Sequence, residues 1–203
     1  MALPTRPAPN TTIFFPIYVN LNHKTYALKA KKKIMLNPTK IIKKAKTSSR
    51  YLWLLNYGLA RTIPFNKPHG FKILEIGDNH ITTFLPFKKA NLNHIKGLHA
   101  CALATLSEFT TGLTLIQKLN AKKYRIILKN LNVDYHFQGK SGATATFEAT
   151  DEWIERNILD LLKYEDSVTI RCQVNSYDTN NNHLCTGMVE WQVKEWKKVR
   201  TKL

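Results

Sequence analysis

The sequence predicts an α+β domain in which an antiparallel sheet of about six strands surrounds one long central helix. A basic N-terminal extension with an amphipathic helix of its own precedes that domain. Three observations carry this expectation. Residues 98–119 keep an apolar spacing of three and four, through Leu98, Ala102, Leu106, Phe109, Leu113 and Ile116, which is the period of a helix. Segments on both sides of that helix alternate apolar and polar residues, as strands with one buried face do. Turn-forming residues, Gly77-Asp78-Asn79 and Asn180-Asn181-Asn182, sit between the alternating segments and read as hairpin connections.

Taken in order, residues 1–36 form the basic extension. Three prolines in the first twelve positions predict poor order there, and Ile13–Val19 and Thr25–Leu28 are short candidate strands. Residues 37–62 are predicted as one amphipathic helix, starting at Asn37-Pro38 and running clearly from Thr39 to Ala60. Ile41, Ala45, Leu52 and Leu59 lie on one side and Lys43, Lys46 and Arg50 on the other. Residues 63–203 form the domain proper. Phe71–Ile76 and His80–Pro86 read as a hairpin, and Tyr124–Phe137 as a long strand after the central helix. Ala143–Thr150 follows as a strand. Asp151–Tyr164 reads as a helix capped by Thr150 or Asp151 with acids in its first turn. Val168–Asp178 and Leu184–Trp196 make the last hairpin.

At 203 residues the chain can bury one core and still carry an extension. The 43% hydrophobic and 22% charged fractions are those of an ordinary globular protein. The net charge of +17 is not ordinary, and it is unevenly placed: residues 1–74 hold 14 Lys and Arg and no acid, the first being Glu75. Three cysteines, Cys101, Cys172 and Cys185, make no even disulfide set and no C-x-x-C pair. That favours a reducing, cytoplasmic setting. No signal peptide is expected, and no segment has the length of a membrane span. His136 and Asp134 share a strand face without a second ligand pair, so no metal site is expected.

One carboxylate stands out. Glu108 is the only acid between Asp78 and Asp134, and it sits mid-helix among apolar residues, where an unpaired charge is expensive. It lies nine positions after His99. On one helix that spacing puts the two on opposite faces, roughly 13 Å apart along the axis. Two copies with antiparallel helices bring one subunit's His99 loop to the other's Glu108.

The pattern Asn93-x-x-x-Gly97-x-His99, followed by small residues and an acid nine positions after the histidine, resembles the hotdog-fold thioesterases. It is most similar to the branch resembling phenylacetic-acid-pathway thioesterases, and within it to the DUF4442 group. The resemblance covers roughly residues 60–196, including Pro64-Phe65-Asn66 and Phe147-x-x-Thr150-Asp151-Glu152. It implies a hotdog fold, a homodimer or dimer of dimers, and hydrolysis of an acyl thioester. Acyl-CoA is the expected substrate, with coenzyme A entering as part of it and no cofactor. One departure is visible: the family's His-Gly-Gly is His99-Ala100-Cys101 here, and a Cβ at those positions narrows the approach of a carbonyl to the backbone.

The residues take the following expected roles. Glu108 acts as base or nucleophile, and a carboxylate in apolar surroundings has a raised pKa. The alternative is a structural Glu bonded to Thr111, a backbone group or a partner subunit. His99 and Asn93 open the helix and help hold water, or simply cap and shape the turn. The N–H groups of Ala100 and Cys101 form an oxyanion site at the helix start. Gly97, Thr111 and Lys96 are candidate substrate contacts. Cys101 as a nucleophile is the lesser alternative. Two other functions stay open: a hotdog protein that binds acyl chains or acyl thioesters without hydrolysing them, and an adaptor that meets an anionic membrane surface or nucleic acid through residues 1–74. Nucleic acid is the weaker partner, because no recognised binding motif is present. The bland reading of the basic helix packs its apolar stripe on the sheet and leaves its lysines in water.

Overall fold

The computed structural model describes residues 38–200, and the strands and disorder expected in residues 1–36 lie outside them. Six strands form one fully antiparallel sheet: β1 (Lys72–Ile76), β2 (His80–Leu85), β3 (Tyr124–Tyr135), β4 (Ala143–Glu148), β5 (Val168–Asp178) and β6 (His183–Glu195), in the order β1-β2-β4-β5-β6-β3. Alternation decides which face is inward. Val168, Ile170, Cys172 and Val174 of β5 are buried, as are Val189, Trp191 and Val193 of β6. The β5–β6 turn is fixed by Asp178, whose Oδ1 accepts the Asn180 and Asn182 N–H groups at 2.9 and 2.8 Å, while Asn181 takes a positive φ of 62°.

The central helix is the third in the chain, after α1 (Pro38–Ala45) and α2 (Ser49–Thr62). It is α3, Ala100–Lys118, and it packs against the inner face of the sheet. Leu103, Leu106, Phe109, Leu113 and Leu115 are buried, but so are Ser107, Thr110, Thr111 and Thr114. These hydroxyls bond back to the carbonyls four residues earlier: Ser107 to Leu103 at 3.3 Å, Thr110 to Leu106 at 2.6 Å, Thr111 to Ser107 at 3.0 Å and Thr114 to Thr110 at 2.9 Å. A buried hydroxyl without a partner is destabilising, and here the helix supplies the partner itself. The Thr83 and Thr110 hydroxyls also meet at 2.6 Å, tying α3 to β2.

Two helix expectations need correction. Residues 37–62 are not one helix. α1 ends at Ala45, and Ser48 is extended (φ −138°, ψ 114°) before α2 begins. Lys46-Thr47-Ser48-Ser49 has no apolar residue to hold a continuous rod on the core. Splitting the rod lets Ile42 and Ala45 of α1 and Leu55 of α2 all be buried. Asp151–Tyr164 is likewise broken. Thr150 caps α4 (Asp151–Ile154) by accepting the Trp153 N–H at 3.1 Å. The chain then widens into a π-type turn over Glu155–Leu159 and tightens over Leu161–Lys163. Asn157 turns its side-chain amide onto the Trp153 carbonyl at 2.8 Å, a local competitor with the regular helical bond.

The two edges of the sheet differ. At β1, the Asn56 side chain of α2 accepts the Ile73 N–H at 2.7 Å and donates to the Ile73 carbonyl at 3.0 Å. The helix therefore occupies backbone groups that an edge strand would otherwise offer to another chain. At β3, by contrast, Ile127, Leu128 and Tyr135 are exposed, and no described element pairs beyond it.

Candidate active site

The loop that leads into α3 is built on two asparagines. Asn91 is fully buried. Its amide donates to the carbonyls of His69 at 2.9 Å and Pro86 at 2.7 Å, and its Oδ1 lies 2.9 Å from His69 Nδ1. Since that oxygen can only accept, His69 Nδ1 is the donor of this bond. Phe65 and Phe71 flank the imidazole, with ring centroids 5.2 and 6.0 Å away. Asn93 accepts the Ile95 and Gly97 N–H groups at 3.1 and 3.0 Å and so closes the next turn. Lys96 takes a positive φ of 59° in that turn. A Cβ at Gly97 would come 2.8 Å from the exposed Gln138 side chain, which would have to shift to admit it.

His99 ends the loop as the N-cap of α3, with Nδ1 accepting the Cys101 N–H at 3.1 Å. That engages one of the two N–H groups expected to hold an oxyanion and leaves the Ala100 N–H as the candidate donor at the helix start. The Ala100 carbonyl accepts the Tyr135 hydroxyl at 2.9 Å, which ties the end of β3 to the same turn. His99, Cys101, Thr105 and His69 face a cavity of about 260 Å³ that Phe65, Phe71 and Leu92 also line.

Glu108 opens into a different cavity, of about 390 Å³, whose walls include Phe65, Phe109, Leu113, Ile126 and Trp191. It is half-buried, and burial holds its carboxyl above the usual carboxylate range. Among the described residues, no salt bridge and no side-chain hydrogen bond engages the Glu108 carboxylate. Thr111 is not its partner. The Thr111 hydroxyl donates to the carbonyls of Ser107 and, at 3.2 Å, Glu108, and it accepts the Trp191 indole N–H at 3.0 Å. Trp191 thus stands as a fixed wall beside the carboxylate. Gly112 makes room for it, because a Cβ there would lie 3.0 Å from the indole ring.

Within one chain, then, Asn93, Gly97, His99 and Cys101 gather at the start of α3, while Glu108 and Trp191 gather two turns on. The two cavities share Phe65. Sequence reasoning did not single out Asn91, His69, Gly112 or Trp191, and it named Phe65 only as part of the Pro64-Phe65-Asn66 segment. A glycine inside an apolar helix was the one available sign of close approach. Cys101 is exposed, whereas Cys172 and Cys185 are buried, and burial pushes the Cys172 thiol up to about 12. Among the described residues, no group of three or more His, Cys, Asp or Glu can hold a metal ion, and no helix is long and apolar enough to cross a membrane.

A family model described as a domain of unknown function, DUF4442, matches residues 52–200. Among solved structures, the chain is similar to a Pseudomonas aeruginosa protein of unknown function named as a probable thioesterase, at 18% identity and a TM-score of 0.64 over 70% of this chain and 94% of that one. A protein of unknown function from Chlorobaculum tepidum matches at 14% identity and a TM-score of 0.61, over 78% and 97% of the two chains. A Haemophilus influenzae thioesterase matches at 15% identity and a TM-score of 0.56, over 71% and 90%. The curated proteins contain no match. The expected hotdog architecture, a six-stranded antiparallel sheet around α3, is the one these neighbours share.

Proposed function

This chain belongs to the DUF4442 family, and on that premise we propose that it hydrolyses acyl thioesters, acyl-CoA foremost. The observation that carries the reading is Glu108: a half-buried carboxylate with no protein partner, held above its ordinary pKa by burial, beside a largely apolar cavity. A structural glutamate in such a place would be paired. A base with a raised pKa removes a proton from water more readily than a free carboxylate does. In the proposed reaction Glu108 takes a proton from water, the water oxygen bonds to the thioester carbonyl carbon, and the oxyanion forms against the Ala100 N–H at the start of α3. Collapse breaks the carbon–sulfur bond, Glu108 gives its proton back to the leaving sulfur, and the thiol and the carboxylic acid are released.

A single chain keeps His99 and Glu108 in separate cavities, so the proposal includes a two-fold homodimer that joins them. The open edge of β3 supports this. Pairing two β3 strands would extend the sheet across the axis and cover Ile127 and Leu128. The capped β1 edge offers no equivalent.

The test is turnover of an acyl-CoA panel, followed by thiol release. Glu108→Gln should lose on the order of 100-fold or more in kcat with substrate binding little changed. A folded Gln variant with wild-type turnover would remove Glu108 from the mechanism. Binding without thiol release would favour the second reading, a hotdog protein that holds acyl thioesters without cleaving them. That reading has its own support, since His99 already occupies the Cys101 N–H.

A further inference from the structure

The fold uses one side of α2 and leaves the other apolar in solvent. Leu52, Leu55 and Leu59 point inward to the core. At about 100° per residue, Arg50, Trp53, Leu54, Tyr57 and Arg61 fall within one arc of roughly 100° on the opposite side. All five are exposed, Trp53 at 63%, Leu54 at 49% and Tyr57 at 46%. Trp53 and Tyr57 stack with centroids 5.4 Å apart and planes 14° apart, and the Arg61 guanidinium lies 4.2 Å over the Tyr57 ring. The result is an apolar row with a cation at each end. No carboxylate precedes Glu75 in the sequence, and α1 adds exposed Lys43 and Lys44.

We propose that this face of α2 docks on the surface of an anionic phospholipid bilayer. Trp53, Leu54 and Tyr57 would sit at the boundary between headgroups and acyl chains, and Arg50 and Arg61 against lipid phosphates. Indole and phenol rings are suited to that boundary, being apolar in body and polar at one end. Cations beside an anionic leaflet add attraction that an electrically neutral one does not. A second copy is a poor occupant, since two such faces would oppose Arg50 and Arg61 with no acid to pair them. Nucleic acid fits less well: Trp53 and Tyr57 already stack on each other, and Leu54 offers a base nothing to bond. The inference stands independently of the hydrolase reading.

The test uses the full-length chain with vesicles of phosphatidylcholine alone or mixed with phosphatidylglycerol, and reads flotation and tryptophan emission. The wild type should bind the phosphatidylglycerol vesicles at least tenfold more tightly and shift its emission to the blue. Arg50→Gln with Arg61→Gln should weaken that binding roughly thirty-fold, the factor carried by two cations at an anionic surface. Trp53→Ser with Tyr57→Ser should weaken binding to both vesicle types about tenfold or more and abolish the blue shift. Circular dichroism checks that each variant is folded, and the arginine pair stands as the decisive variant if the aromatic pair does not fold. Four results would overturn the proposal: no vesicle binding by the wild type, equal affinity for both vesicle types, binding unaltered by either pair of substitutions, or loss of self-association or of duplex DNA binding in the variants in place of lost lipid binding.

Discussion

Replacing Asn91 by alanine removes three hydrogen bonds from one fully buried side chain. Two of them satisfy the carbonyls of His69 and Pro86, and the third fixes His69 Nδ1. The imidazole is only half-buried and can turn its N–H to water, so the main loss is the two carbonyls. A buried group left without a partner costs about 1–3 kcal/mol. Two such groups plus a small void put the expected destabilisation at about 3–4 kcal/mol, or roughly 10 °C in melting temperature for a chain of this size. Asn91→Asp should do no better, since it keeps an acceptor for His69 but turns a donor into an oxygen facing two carbonyls. Urea and thermal unfolding read the effect, with Gln173→Ala on the exposed face of β5 as a control expected within about 0.5 kcal/mol of wild type. If Asn91→Ala costs less than about 1 kcal/mol, the claim that this side chain anchors the loop into α3 fails.

Three further outcomes follow from the site. Burial raises the Glu108 pKa in the fold, so the folded state binds the extra proton: the stability this gives is fully present below the unfolded carboxylate pKa and is lost as pH rises through the folded one. Glu108→Gln should therefore be the more stable protein at neutral pH, with the gap closing below about pH 4; a Gln variant less stable at pH 7 in urea titrations contradicts the unpaired carboxylate. Mixed dimers of Glu108→Gln with His99→Ala should regain part of the activity that each lacks alone, because one of their two sites carries neither defect; no recovery after verified subunit exchange rules out a composite site. Trp191→Phe forfeits the bond to Thr111 and enlarges the Glu108 cavity, so it should cost about 1–2 kcal/mol of stability and raise KM more than it lowers kcat; an unchanged KM would show that the indole wall does not meet substrate.

The parts legible in the sequence were those with a period or a fixed spacing. The span of α3, the six strands and both hairpins follow from repeats of three to four and of two, because burial on one face imposes them. The Asn93–Gly97–His99 spacing located the start of α3, and the isolation of Glu108 among apolar neighbours pointed to an unpaired carboxylate. The break at Lys46–Ser48 was not legible, because it is decided by which residues each helix must keep on the core, and neither was the break after Ile154, where one side chain, Asn157, competes for a carbonyl. Nor were Asn91 and Trp191. A buried loop asparagine has the same letter as an exposed one, and Trp191 sits at an inward position of β6 where any large apolar residue satisfies the pattern. Only the packed partner, Thr111 for the indole and His69 for the amide, gives either residue its role.

The unequal burial of the three cysteines makes the chain a one-site reagent. A modifying agent that needs thiolate finds Cys172 buried and protonated far above neutrality, and Cys185 shielded in the same core with its thiol also pushed up by burial. Cys101 alone is open, and it stands at the rim of the cavity that His99 and His69 share. Its alkylation rate is therefore a native gauge of whether that rim is covered: anything seated across the first turn of α3 must slow a single, stoichiometric labelling step, while unfolding must release two more equivalents.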